Sequence, residues 1–256
     1  MPARLRTWAT GLRRQGRMPR SVQAVAYLYR HFKALPALLC LPKLLLELRR
    51  TRGERSAGRL VSLAFDGFGG MIRPFQIREE LLALVETLER ERPERILEIG
   101  TANGGTLFAL CRSAVDQAQI VSVDLPGARY GGGYPAWKRM LYGRFALPHQ
   151  RLQLLRADSH LRATYSRVAS LLGGKKLDLL FIDGDHTYDG AKQDFEWYKA
   201  LVRPGGLIAF HDIVPNPSEP EMGVDRLWQE VKSFHQVEEI VRSWDQAGFG
   251  IGVLRA

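Results

Sequence analysis

Cysteine is nearly absent from this chain: two in 256 residues, Cys40 and Cys111, each alone in apolar surroundings. That scarcity argues against a disulfide framework or a thiolate metal site and suits a reducing cytoplasm, where the protein is expected to work. Long hydrophobic runs are missing too. The most apolar stretch, residues 34–48, is broken by Pro36, Pro42 and Lys43. It falls short of the ~20 apolar residues a membrane span needs. No small-residue cleavage site follows the N-terminal arginines, so no signal peptide is expected. Acidic residues are scarce only at the start. Residues 1–60 hold 14 Lys/Arg against 2 Asp/Glu, whereas residues 61–256 hold 23 against 25. The net charge of +10 is therefore an N-terminal property. It is no nucleic-acid footprint of the larger part of the chain.

What is present divides into two regions. Residues 1–75 read as a basic helical extension followed by a linker. Helices are expected at 21–33 and 42–52, the first with Val22, Val25, Ala26 and Tyr29 on one face. Packing against the remaining chain, or against a second subunit, is favoured over contact with a membrane surface. Residues 53–75 are rich in glycine yet carry Phe65, Phe68, Met71 and Phe75; a lid and a segment tucked against the core both fit. Residues 76–256 read as one domain. An amphipathic helix at 76–91 ends before Pro93. Apolar strands are then expected at 95–99, 120–124, 152–156, 178–183 and 206–211. Helices alternate with them at 104–116, 135–146, 161–172 and 187–202. Continuous apolar strands between helices point to a parallel sheet covered on both faces. A helix at 223–235 and two strands, 237–243 and 249–254, close the chain.

Five motifs fall at expected strand tips. The first is Glu98-Ile-Gly100-Thr101-Ala-Asn103-Gly104-Gly105. Strand, glycine turn and helix N-terminus together present backbone N–H groups to a nucleotide-like ligand. A glutamate inside such a loop would repel a pyrophosphate, so a neutral or cationic ligand fits better. The second is Asp124, 24 residues beyond Gly100, where an acidic group accepts ribose hydroxyls. The third is Asp158-Ser159-His160, which can receive an adenine amine or merely cap the following helix. The fourth is Asp183-Gly-Asp185-His186. Two carboxylates and a histidine this dense at a strand tip are better explained by function than by stability. The fifth is His211-Asp212. With the fourth it assembles carboxylates and imidazoles suited to a divalent cation.

In this order the motifs resemble the S-adenosylmethionine-dependent methyltransferases of class I, and within them the small-molecule O-methyltransferase branch. The resemblance runs over roughly residues 76–256. It is strongest in Leu97–Gly105 and in Phe181–Asp212. It implies an α/β, Rossmann-like, doubly wound, mostly parallel seven-stranded sheet with an antiparallel C-terminal strand. It further implies that Glu98, Gly100, Thr101, Asn103, Gly104 and Gly105 hold the methionine portion of S-adenosyl-L-methionine. Asp124 would bind the ribose, Asp158 and Ser159 the adenine, and Asp183 would also touch the cofactor. A divalent cation, Mg or Mn, would take Asp183, His211 and Asp212 as ligands. His211 stands where metal-dependent relatives usually carry Asp or Glu. His186 would be the general base, with Asp183 beside it and Asp185 as a second candidate base.

The expected activity is methyl transfer to a hydroxyl of a small molecule or sugar, by a homo-oligomer that takes no nucleic acid. A nucleotide-binding oxidoreductase is the first rival. It is weakened by the lack of Gly-x-Gly-x-x-Gly, and the Tyr134-Pro-Ala-Trp-Lys138 motif is interrupted by proline and follows the wrong strand. That segment reads better as part of an aromatic loop, 130–137, near the cofactor. A nucleic-acid methyltransferase is the second rival, and it lacks the Asn/Asp-Pro-Pro-aromatic signature of base N-methylation.

Overall fold

A computed structural model describes residues 40–127 and 133–256. The helix expected at 21–33 and the start of the aromatic loop, 130–132, lie outside the described residues. Leu45 to Ala256 form one compact unit. Among the described residues no helix is long and apolar enough to cross a membrane.

The sheet has seven strands: β1 (Arg95–Ile99), β2 (Gln119–Val123), β3 (Arg151–Leu155), β4 (Leu177–Ile182), β5 (Val202–His211), β6 (Val237–Ile240) and β7 (Ile251–Arg255). Their order is β3-β2-β1-β4-β5-β7-β6. The first five pair in parallel, and β7 runs antiparallel to both β5 and β6. The expected strands are all present, with β5 starting four residues earlier than the apolar run suggested. The chain winds outward from β1 through β2 to β3, then returns to β4 on the other side of β1. The crevice between the carboxyl ends of β1 and β4 is the topological switch point, where open α/β sheets bind ligands.

Helices α1 (Ala57–Asp66), α2 (Arg78–Glu91), α3 (Gly105–Ser113), α4 (Lys138–Tyr142), α5 (Arg162–Leu172), α6 (Tyr188–Tyr198) and α7 (Val224–Lys232) join these strands or cover their faces. Residues 45–50 are also helical. The segment expected as a linker is largely structured. It contains α1 and a single 3-10 turn, Phe68–Gly70, and α1 packs on both α2 and α3. Leu60, Val61, Ala64 and Phe65 give α1 a buried stripe, and Phe68 meets Phe108 of α3 edge-on at 5.3 Å. Glycines at both ends of α1 hide that stripe from a composition reading. Arg112, fully buried on α3, donates to the carbonyls of Phe145 and Thr51, and so ties this segment to the sheet's cover. The helix expected at 135–146 shortens to five residues.

The main core lies between β4, β5 and helices α5, α6 and α7. Phe195, Phe210 and Trp228 stack in sequence at 5.4 and 5.8 Å. Gly252 of β7 lies against the Trp228 indole, so a side chain there would displace the ring.

Candidate active site

The glycine loop forms as its residue types require. Gly100 ends β1 with φ +97°, and its N–H donates to Val123 O at 2.8 Å. A Cβ at Gly100 would lie 1.8 Å from the Asp183 carbonyl oxygen, so β1 and β4 approach this closely only because position 100 is glycine. Gly104, at φ +86°, lies against the Tyr142 ring and precedes the first turn of α3. The N-terminal end of α3 thus opens on the switch-point crevice with no side chain capping it.

The crevice holds a cavity of about 550 Å³. Gly100, Thr101, Asn103, Gly104, Gly105 and Asp124 line one end; Asp158, Ser159, Asp183, Asp185, His186, His211 and Asp212 line the rest. The structure therefore brings together all the residues singled out in the sequence save Glu98. Glu98 is wholly buried beneath the loop, where Oε2 accepts from Ser122 Oγ at 2.7 Å and Oε1 has no hydrogen-bond partner. Burial, reinforced by Asp124 and Asp183, pushes its carboxyl up to about 8.

Asp124 stitches two loops together. It accepts from Ala102 N–H at 3.0 Å and from Gly133 N–H at 2.9 Å. Burial raises its pKa, and these N–H bonds partly offset that. Asp158 accepts from the backbone N–H of His160 at 2.8 Å. Sequence reasoning gave His160 no role, yet its ring lines the cavity and is held from behind. Its Nε2 lies 3.1 Å from Gly190 O and 3.4 Å from Oδ1 of the buried Asp194. Tyr198 OH donates to Ser159 O at 2.9 Å and Gln193 Nε2 to His160 O at 3.3 Å, so α6 grips this loop along its length.

The histidine–aspartate cluster sits at the tips of β4 and β5. His186 Nδ1 lies 2.5 Å from Asp212 Oδ2, and His186 Nε2 lies 3.8 Å from Asp183 Oδ1. His211 Nδ1 lies 3.0 Å from Asp183 Oδ1 and 3.4 Å from Asp212 Oδ2, while its buried Nε2 has no hydrogen-bond partner. Burial pulls both imidazoles down, but the two carboxylates outweigh it and raise them, His211 well above the histidine range. Burial would lift Asp212; the two histidines instead hold it well below the carboxylate range.

The donor atoms that converge within 4.8 Å are those of Asp183, His186 and Asp212. Asp183 and Asp212 of the expected cation set are among these donors, with His186 beside them; buried His211 keeps its Nδ1 within 3.4 Å of both carboxylates. The backbone explains how His186 comes to join them. Neighbouring strand residues point to opposite faces. Asp212 instead takes φ +66° just past β5 and swings back toward His186. Asp185 accepts from Thr187 N–H at 2.9 Å, which makes it part of the turn leading into α6. The Tyr134/Lys138 pair serves no redox geometry. Lys138 Nζ donates to Met71 O and Asn103 Oδ1, and burial lowers it to about 8.

Residues 97–213 match the family model described as a methyltransferase domain. The matched stretch begins at the glycine loop's strand and ends just past Asp212, so it encloses every motif above. The chain is also similar to solved structures. The O-methyltransferase TomG from Streptomyces achromogenes, in complex with SAM, is 18% identical; 82% of this chain and 95% of that one align, with a TM-score of 0.52. The O-methyltransferase from Bacillus cereus, in complex with SAH, gives 18% identity, 82% and 97% coverage and 0.52. At such identities the likeness is one of fold. Among curated proteins, y4gI of Sinorhizobium fredii is 32% identical over 144 residues, 55% of this chain and 15% of that protein. The chain spans less than two thirds of the length of the curated relatives it matches.

Proposed function

We propose that the protein transfers the methyl group of S-adenosylmethionine to a hydroxyl of a small molecule. The observation that carries this reading is the single cavity in which the glycine loop and the Asp183/His186/Asp212 cluster meet. The cavity fits the methyl donor in its chemistry. Backbone N–H groups at the start of α3 suit a carboxylate, Asp124 suits ribose hydroxyls, and the aspartates around the wall favour a positively charged sulfonium. When bound, S-adenosylmethionine supplies an electrophilic methyl group.

The chain's own residues do the rest. With the proton on Nδ1 directed at Asp212, His186 has Nε2 as its basic atom. It takes the acceptor's hydroxyl proton as the oxygen bonds to the methyl carbon; the carbon–sulfur bond breaks and its electron pair stays on sulfur. Asp212 orients the imidazole and stabilises the imidazolium that forms, while the surrounding walls exclude water. Asp185, engaged in the turn before α6, is the weaker candidate for the base.

A second reading follows from the converging donors. Two carboxylates and an imidazole within 4.8 Å suit a divalent cation such as Mg²⁺ or Mn²⁺. Asp183, His186 and Asp212 would hold it, and it would lower the pKa of a bound hydroxyl. The two readings assign Nε2 of His186 different tasks, and turnover after exhaustive chelation separates them. Two free cysteines, with Cys111 buried, are in keeping with work in the cytoplasm.

The test is calorimetric titration with S-adenosylmethionine and S-adenosylhomocysteine. Saturable binding of both is expected, and binding of neither would remove the proposal.

A further inference from the structure

The wall beside the two reactive carboxylates is aromatic. Phe249 and Phe75 both line the cavity, yet neither is explained by the cofactor or the proton transfer. Phe249 N–H donates to Asp212 Oδ1 at 2.9 Å, and its ring lies 6.0 Å from that of His211. Phe75 precedes Gln76, whose side-chain amide donates to Asp183 Oδ2 at 3.4 Å. Each carboxylate thus accepts a hydrogen bond from one of these phenylalanines or from the residue next to it. Met222 adds an apolar thioether to the same wall, close to Asn216.

Phe249 sits in a conformation that a bulky residue avoids. Its φ is +64°, between Gly248 at +83° and Gly250 at +82°. Three consecutive left-handed residues form a turn for which glycine is the least strained choice at every position. An aromatic side chain at the middle position meets no local need of the backbone. It remains 36% exposed, on the cavity side of the turn. Strain of this kind at a ligand-lining position points to a role in recognition.

The charge on the wall limits what that role is. Asp124, Asp158, Asp183, Asp185 and Asp212 all line the cavity. Away from the N–H groups at the start of α3, an acceptor's phosphate or carboxylate placed beside Asp183 and Asp212 would face this field at low dielectric. A neutral ring, by contrast, gains from the apolar surface of Phe249, Phe75 and Met222.

Resting on the methyltransferase reading, we infer that Phe249 and Phe75 are specificity-determining residues of the acceptor site, and that the acceptor is an uncharged, hydroxyl-bearing compound with a flat apolar face. Anionic acceptors are turned away.

A matched pair of probes tests this on the full chain saturated with S-adenosylhomocysteine: 2-naphthol and 2-naphthyl phosphate, each titrated by calorimetry. The proposal expects 2-naphthol to bind at least about tenfold more tightly than its phosphate ester. It expects Phe249→Ala and, separately, Phe75→Ala to weaken 2-naphthol about tenfold, the scale of one lost aromatic contact. S-adenosylhomocysteine affinity measured on each variant reports folding; Phe75, at 60% exposure, can be truncated with little structural loss. Equal or tighter binding of the phosphate, binding of neither probe to the saturated protein, or 2-naphthol affinity indifferent to both variants would each overturn the inference. Failure of S-adenosylhomocysteine itself to bind is a different result and defeats the methyltransferase reading.

Discussion

Replacing Glu98 by glutamine probes the electrostatics beneath the glycine loop. The carboxyl is fully buried, with one oxygen bonded to Ser122 and the other without a partner. Burial lifts its pKa from 4.5 to about 8. Well below pH 4.5 the folded and unfolded chains both hold this proton, and the group favours neither. As the pH rises from there, the unfolded carboxyl ionises while the folded one stays protonated until about pH 8, so the folded state loses stability through that window. Each pH unit removes up to about 1.4 kcal/mol, which sets a ceiling of about 5 kcal/mol for the whole window. Local relaxation and water entry reduce this to about half. Glutamine keeps the shape and does not titrate. Its extra N–H faces the side on which Oε1 finds no partner, a penalty of about 1–2 kcal/mol that does not depend on pH. Urea denaturation followed by tryptophan fluorescence, on both proteins from about pH 5 to about pH 8.5, reads the difference. Glu98→Gln should gain on the wild type by about 2–4 kcal/mol across that range. A difference between the two proteins that stays constant with pH would refute the argument, because it would mean that Glu98 is ionised and solvated in the folded state.

Three further outcomes are expected. His186→Ala should lower kcat by about 10²–10⁴-fold and leave S-adenosylhomocysteine affinity nearly unchanged, and wild-type kcat should climb with pH through an apparent pKa above the ordinary histidine value, since burial is outweighed by Asp212 and Asp183; a pH-independent kcat counts against this base. Gly100→Ala should cost at least about 2 kcal/mol in denaturant unfolding and weaken S-adenosylhomocysteine binding, because its Cβ would meet the Asp183 carbonyl; unaltered binding would show that the turn can relax. Phe249→Gly should be more stable than Phe249→Ala by about 1 kcal/mol, the penalty of a left-handed Cβ; equal melting behaviour would mean that position 249 is unstrained.

Much of the fold was legible in the sequence because its signals are local. Leu179 to Ile182 is apolar throughout and Ile96 to Ile99 is interrupted only by Glu98, a pattern suited to strands covered on both faces, and Gly100 marks the turn that only glycine allows. Asp124 and Asp183 were legible for the same reason, one residue past their strands. What escaped depends on pairings that the chain order conceals. His160 and Asp194 are 34 positions apart and meet only because α6 folds back over the loop after β3. The contact between His186 and Asp212 also escaped, because His211-Asp212 looks like a tandem pair, whereas the left-handed backbone at Asp212 directs its carboxylate to His186. Phe249 lies in a glycine turn, and a sequence shows an aromatic there without showing its φ. Helix α1 was hidden by Gly58 and Gly67 at its ends, although Leu60, Val61, Ala64 and Phe65 already carry helical spacing.

Arg112 has a consequence for how the chain can be shortened. Its guanidinium is spent on carbonyls contributed by residues 51 and 145, so the stretch before α2 supplies part of the solvation that a buried cation needs. Cutting at residue 76, the expected start of the larger domain, would remove one of those acceptors and strip α1 from α2 and α3. The trimmed product would show Leu81, Leu84 and Phe108 to water, and light scattering should find it associating where a protein starting at residue 45 stays dispersed. For this molecule the smallest piece that folds is therefore set by an arginine's need for carbonyl oxygens, well ahead of the first motif that chemistry would pick out.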